Sequence, residues 1–331
     1  MSVNQTFMTI VLAGFACSAC GSNNASNGGD GGAGDLGQAA NAITMGIGPI
    51  PLAAGEERTV CVTRHLGLTA DIDVTQVVAT LAPGSHHLVL YRSTETVESL
   101  TPTDCQPFEG IQQGIVPILI AEKASTTLTL PSGVAYHFPQ DQMVRIEAHY
   151  INATMNAIQG QGTLVLTPGA TGVSYQQADI MFCGSVRQLS QTGIPPNQTN
   201  VTLNPGFYKG GGDVDLTKLK VFAFTSHEHH LGSDVTVSKS TSASDPGTLL
   251  YDNKSWDNPP LQAYDDAHLL TFGAGEGFRW QCSYDSADAV PKPTTTTMFG
   301  TGALDNEMCF IWAYYYPSVG RFVGPTDCAY Q

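Results

Sequence analysis

Short apolar runs with alternating polar positions recur along most of the chain. The first series is RTVCVTRHL, QVVATLA, HHLVLYR, STTLTL, MVRIEAHYI and GTLVLTP. The second is ADIMF, TNVTLN, KLKVFAF, DVTVSK, GTLLYD, HLLTFGA, FRWQCSY and CFIWAYYY. Turn formers such as APGS, LTPTDC and LPSGV separate them. Long stretches of helical period are hard to find, and the chain carries 35 glycines and 19 prolines. This punctuation predicts an all-β chain. At 331 residues the chain exceeds the usual size of one domain, so two are expected. TPGATG, at Thr167 to Gly172, is the best boundary. Each side is long enough for a sandwich of roughly seven to nine strands. We therefore expect one β-sandwich over residues 45–170 and another over 171–331.

The first residues read differently. FMTIVLAGFA, Phe7 to Ala16, has signal-peptide length and is too short to span a bilayer. The tract CSACGSNNASNGGDGGAGDLG that follows cannot bury a core. We expect a signal over 1–20 and a flexible linker over 21–44. The pattern resembles a bacterial lipoprotein signal lipidated at Cys20, with Cys17 as the alternative. It departs from that pattern in two ways: no Lys or Arg precedes the apolar run, and Cys17 stands where leucine is usual. An ordinary secretory signal is the other reading. Both imply export, to the cell envelope through a lipid anchor or beyond it. Six cysteines remain: Cys61, Cys105, Cys183, Cys282, Cys309 and Cys328. An even number in an exported chain favours disulfides, and the six contain no CxxC to suggest a zinc–thiolate site. Domain membership would pair Cys61 with Cys105 and Cys183 with Cys328. The net charge of −15 repels phosphate backbones and argues against nucleic-acid binding.

Histidine is scarce, nine in all, yet three fall within FTSHEHHLG. The run before them looks like a strand, which places His227 and His229 on one face and His230 on the other. Two imidazoles so spaced can reach one metal ion, although the same spacing occurs in solvated strand ends. In the first half, SHHLVLYR holds His86 and His87, and VRIEAHYIN holds His149. Adjacent histidines can simply be polar edge residues, a lone His149 can be a satisfied core histidine, and Met308 in DNEMCFIWAYYY is by default core filler. Glu147 reads equally well as a partner of His149 or as a solvated strand residue. An HExxH site is excluded because position 231 is leucine, and neither GxSxG nor a phosphate-cradling glycine loop occurs. A single-metal, cupin-like site would use HxH but leave His86, His87 and His149 without a role.

SHHLVLYR, LPSGVAYHFP with VRIEAHYIN, HEHHLG and DNEMCFIWAYYY, in that order, resemble the motifs of the copper type II ascorbate-dependent monooxygenases. The resemblance runs from about Cys61 to Cys328. It implies two jelly-roll-like β-sandwiches, each holding one copper ion, facing each other across a solvent-filled cleft. By motif match, His86, His87 and His149 would hold an electron-transfer copper, and His227, His229 and Met308 the catalytic one. Imidazole suits both oxidation states of copper and a thioether favours Cu(I). The implied reaction hydroxylates a C–H bond with O2 and an external reductant such as ascorbate. The resemblance also pairs Cys282 with Cys309. Peptide-amidating members hold a substrate carboxylate with an arginine, an asparagine and a tyrosine. Those positions are Thr225, Phe310 and Trp312 here, so no guanidinium is left for the carboxylate. That change points to a small apolar or aromatic substrate rather than peptide amidation. Two alternatives stay open: a non-catalytic copper-binding lipoprotein and a single-metal cupin-like enzyme.

Overall fold

The computed structural model describes residues 42–113 and 115–328. The expected signal segment, nearly all of the expected linker, Cys17 and Cys20 lie outside the described residues. The rest is almost wholly β, as expected. The longest helix among the described residues is Val186–Gln191, six residues.

Four sheets make up the structure. In the first half, a six-stranded sheet runs in the order Ile43–Leu52, Ile158–Pro168, Ile72–Leu81, Val134–Phe138 and Gln176–Gln177, and Ser125–Thr129 also pairs with Ile72–Leu81. Its companion has five strands, ordered Ser99–Asp104, Glu57–His65, Met143–Ile151, Ser85–Ser93 and Val116–Ala121. In the second half, a four-stranded sheet is ordered Asp179–Gly184, Cys309–Tyr316, Lys220–Glu228 and Gln262–Ala263. The last sheet centres on Gly277–Tyr284, flanked by Val201–Thr202 and Gly206–Tyr208 on one side and by Gly232–Ser240 and Thr248–Asn253 on the other. Two details bear on the boundaries. The first strand begins at Ile43, inside the expected linker, and Gln176–Gln177 still pairs, in parallel, with a strand of the first half.

Strand Cys309–Tyr316 explains how the halves are held together. All eight of its residues are buried, which an antiparallel strand achieves only when both faces of its sheet are covered. Alternate side chains serve different cores. Phe310, Trp312, Tyr314 and Tyr316 join the core of the first half. Cys309, Ile311, Ala313 and Tyr315 join the core under the last sheet. Ile180 and Phe182 against Met181 and Cys183 repeat the alternation on the neighbouring strand. The Tyr314 hydroxyl accepts a hydrogen bond from the Ile120 N–H (3.1 Å), so even the polar tip of this face is satisfied by the first half. Met143–Ile151 is its counterpart there, with eight of nine residues buried.

Among the described residues three disulfides form: Cys61–Cys105, Cys183–Cys328 and Cys282–Cys309. Cys282–Cys309 ties the central strand of the last sheet to Cys309–Tyr316, directly beside Met308. The Tyr284 hydroxyl donates to the Met308 carbonyl (2.8 Å) at the same place. Replacing both Cys282 and Cys309 by serine is expected to cost roughly 2–5 kcal/mol of stability, read as a lowered denaturation midpoint. Were Met308 to hold copper, as the resemblance implies, the same variant would bind it more weakly at that position only; unchanged affinity there would show that the bridge does not anchor it.

Candidate metal centre

The backbone brings the histidines together in two ways. His227 and His229 stand two apart at the end of Lys220–Glu228, so alternation aims both towards the first half, as expected. His86 and His87 are consecutive, and a regular strand would send them to opposite faces. The pairing of Ser85–Ser93 with Met143–Ile151 shifts register between Ser85 and His87. Ser85 opposes Tyr150 and His87 opposes His149, leaving His86 as the extra residue of a bulge. The bulge turns both rings to one place, and the cross-strand partner His149 completes the group. Ring centroids are 5.2 Å apart for His86 and His87, 5.2 Å for His86 and His149, and 5.1 Å for His87 and His149.

The two histidine groups touch. His86 lies 4.9 Å from His227 and 5.7 Å from His229, centroid to centroid, and His87 lies 5.3 Å from His227. Nitrogen atoms of His86, His87 and His149, and separately of His86, His227 and His229, fall within 4.8 Å of one another. His86 thus belongs to both groups. The solvent-filled gap implied by the resemblance is replaced here by contact between imidazoles. The physical reason lies in the neighbouring strand, whose aromatic face packs directly on the first half.

The donor set fits a metal. Nε2 of His86, both ring nitrogens of His87, Nδ1 of His149 and Nε2 of His227 are buried and without a hydrogen-bond partner. Such orphans are costly in a dry interior unless something binds them. Some of the other ring nitrogens are engaged. His229 Nδ1 donates to the Asn306 carbonyl (3.1 Å), which leaves its Nε2 free to ligate. His149 Nε2 meets Glu57 Oε1 at 2.8 Å, leaving Nδ1 free. Burial, reinforced by the neighbouring rings, holds His86, His87 and His227 well below the usual imidazole range and lowers His229 to about 3. Neutral imidazole is the ligating form. His230 points away, as expected: its Nδ1 donates to the Ala303 carbonyl (3.1 Å).

Carboxylates surround the cluster, and sequence reasoning missed most of them. Glu147 is fully buried, accepting from the Phe108 N–H (2.7 Å) and the Tyr91 hydroxyl (3.1 Å). It lies 3.5 Å from His87 Nε2, and burial raises it to about 7 despite those bonds. Glu307 collects the N–H groups of His229 (3.1 Å), Leu231 (2.8 Å) and Met308 (3.1 Å), tying the segments of His229 and Met308 together. Burial outweighs these bonds and raises Glu307 to about 8. Burial also opposes ionisation of Glu57, but the bonds from His149 and the Ala303 N–H keep it below the usual carboxylate range. Glu122, at the end of Val116–Ala121, is buried against His227 Nδ1. The available signals were an acidic residue immediately before Met308 and an acidic residue ending an apolar strand.

Beside the cluster lies a cavity of about 260 Å³ between the two halves. Phe108, Ile111, Phe182, Phe299, Met308 and Phe310 line it, and no charged residue does. Phe108 forms the wall on the histidine side, stacked on His87 at 4.6 Å and edge-on to His227 at 5.1 Å. Its backbone is left-handed, φ 58°, an unusual conformation for a bulky residue that marks a locally imposed constraint. Of the three positions expected around a substrate, only Phe310 lines the cavity. Thr225 is buried on its strand, and Trp312 is fully buried beneath the lining, stacked on Phe182 at 4.2 Å. Arg92 is bonded to Asp179, and Arg145 to Glu109 (2.9 Å) and Gln113 (3.3 Å), so neither offers a free guanidinium to the cavity.

Burial of the rings gives a direct check. In the metal-free protein, His86, His87, His227 and His229 should stay neutral from pH 7 down to pH 5, because lowered values leave the proton off until well below the ordinary imidazole midpoint of about 6.5. Long-range ¹H–¹⁵N NMR spectra report each ring's protonation. Any of the four titrating near the ordinary midpoint would show that the cluster opens to water.

No curated protein matches the chain. Among solved structures, the major capsid protein P2 from bacteriophage PM2 aligns over 83% of this chain and 97% of its own, at 8% identity and a TM-score of 0.32. A model of the copper type II ascorbate-dependent monooxygenase C-terminal domain matches residues 176–328. That segment carries His227, His229 and Met308, so the second half of the chain is similar to the C-terminal domain of the copper type II ascorbate-dependent monooxygenases.

Proposed function

We propose that the chain is a copper-dependent monooxygenase that hydroxylates a C–H bond of a small apolar or aromatic molecule, using O2 and an external reductant of the ascorbate type. The observation that carries this reading is the set of orphaned, neutral imidazole nitrogens beside an uncharged aromatic cavity that Met308 also lines. His86, His87 and His149 would hold one copper ion, and His227, His229 and Met308 a second. Bound copper supplies the electron transfer and the oxygen chemistry. The chain's own residues do the rest. Phe108, Phe182 and Phe310 hold an apolar molecule by removing its surface from water, worth about 25 cal/mol for each Å². Glu307 fixes the backbone that presents His229 and Met308, and the Asn306 carbonyl and Glu57 hold His229 and His149 in their ligating tautomers. Phe108 keeps bulk water off His87 and His227.

The chain should bind two copper ions, measured by metal analysis, and consume oxygen with ascorbate when an apolar aromatic compound is present. One copper per chain would end the two-site reading. Two coppers without substrate-dependent oxygen uptake would favour a copper-binding protein that has no monooxygenase reaction.

Substrate class follows from the lining. A glycine-extended peptide would bury its carboxylate without a cationic partner, a heavily disfavoured arrangement. Oxygen-uptake kinetics should show efficient turnover of uncharged aromatic compounds and poor turnover of such peptides. Efficient hydroxylation of a C-terminal glycine would refute this assignment of substrate. Trimming the wall with Phe108→Leu should raise KM for the smallest aromatic substrates and admit larger ones, at a stability cost of about 1 kcal/mol. An unchanged size preference would remove Phe108 from the substrate site.

A further inference from the structure

We infer that Glu122 is a positioning residue, supplied by the first half of the chain to hold the His227 ring of the second half in its ligating orientation. The inference rests on the reading of His227 as a copper ligand. Glu122 follows strand Val116–Ala121, whose residue Ile120 is itself bonded to Tyr314 across the junction between the halves. Its Oε1 bonds Nδ1 of His227, with both side chains almost wholly out of water. Nε2 of His227 has no partner, and neither has Glu122 Oε2.

A purely structural pair explains these observations poorly. Burying a carboxylate beside an imidazole costs more desolvation than the attraction returns unless the remaining polar atoms are also satisfied. Here two of them are bare. A cation on Nε2 of His227 occupies the orphan nitrogen and supplies the positive charge that a desolvated carboxylate otherwise lacks. Ligation through Nε2 requires the ring proton on Nδ1, and Glu122 Oε1, fixed at Nδ1, is placed to accept it. The His227 site is therefore incomplete within the second half alone. Glu57 makes a matching link, since the same carboxylate oxygen that bonds His149 accepts the Ala303 N–H of the second half (2.7 Å).

The test uses the full chain with Glu122→Gln and Glu122→Ala. Glutamine keeps an acceptor for the Nδ1 proton, whereas alanine removes it; glutamine is also the near-isosteric choice should alanine fail to fold. Cu(I) affinity at each site is read by competition with a chelator, and the Met308 site is recognised by its copper–sulfur signature in X-ray absorption. The expected result is roughly 10–100-fold weaker binding at the Met308 site for the alanine variant, with substantial recovery in the glutamine variant. The other site should be unchanged. Long-range ¹H–¹⁵N NMR of the metal-free chains should show His227 protonated on Nδ1 in the parent and mixed between tautomers with alanine. Equal affinities in all three chains, or equal loss at both sites, would overturn the inference, as would an unchanged His227 tautomer. A parent chain that takes up no copper would instead overturn the functional reading on which it rests.

Discussion

A strand that is apolar on both faces must be covered on both, and CFIWAYYY imposes that requirement on the whole molecule. One row of its side chains completes the core of the second sandwich. The other row, led by Trp312 and Tyr314, has to be covered by the first half. The halves are therefore pressed together by the burial of large aromatic surface, the dominant favourable term in such packing. The histidine cluster lies at the edge of that contact. His227 opposes Phe310 on the neighbouring strand, so the register that seats the aromatics also seats this histidine.

The same dryness sets the chemistry of the site. Desolvation disfavours any charged form, so it strips protons from His86, His87, His227 and His229 while retaining them on Glu147 and Glu307. These two effects act on folding with opposite sign. The histidines contribute stability above the ordinary imidazole range that is lost as pH falls through their lowered values. The two carboxyls contribute stability below the ordinary carboxylate range that is lost as pH rises through about 7 and 8. Without metal, the site is a nearly uncharged group in which several imidazole nitrogens lack partners. A cation there would let the carboxylates ionise and would occupy the free nitrogens.

Much of this was legible in the sequence because period-2 alternation survives in strands whatever their partners. It identified the all-β class and the shared face of His227 and His229. The convergence of His86 and His87 was not readable that way. Their adjacency contradicts alternation, and only the bulge at His86, a property of the pairing between two strands, reconciles it. Motif order carried the grouping of these histidines where local physics could not. Glu122 and Glu307 were hard to read as site residues for a related reason. A carboxylate in a strand-rich sequence reads as a solvated residue, and only tertiary burial reveals otherwise. Trp312 and Thr225 show the converse limit. A position matched by motif fixes where a residue sits along a strand, while neighbouring side chains such as Phe182 decide whether a cavity reaches it.

The turn that carries Phe108 separates two kinds of change. Cys105, three residues earlier, is fastened to Cys61, and the Phe108 N–H is fastened to Glu147, so the wall against His87 is held from both directions. Immediately after it, the short helix Glu109–Gln112 presents Ile111 and Gln112 to the cavity. Substitutions at those two positions would alter the shape of the cavity and leave the histidines where they are. Drift in a single surface turn could therefore remodel the cavity while the histidine cluster is kept constant.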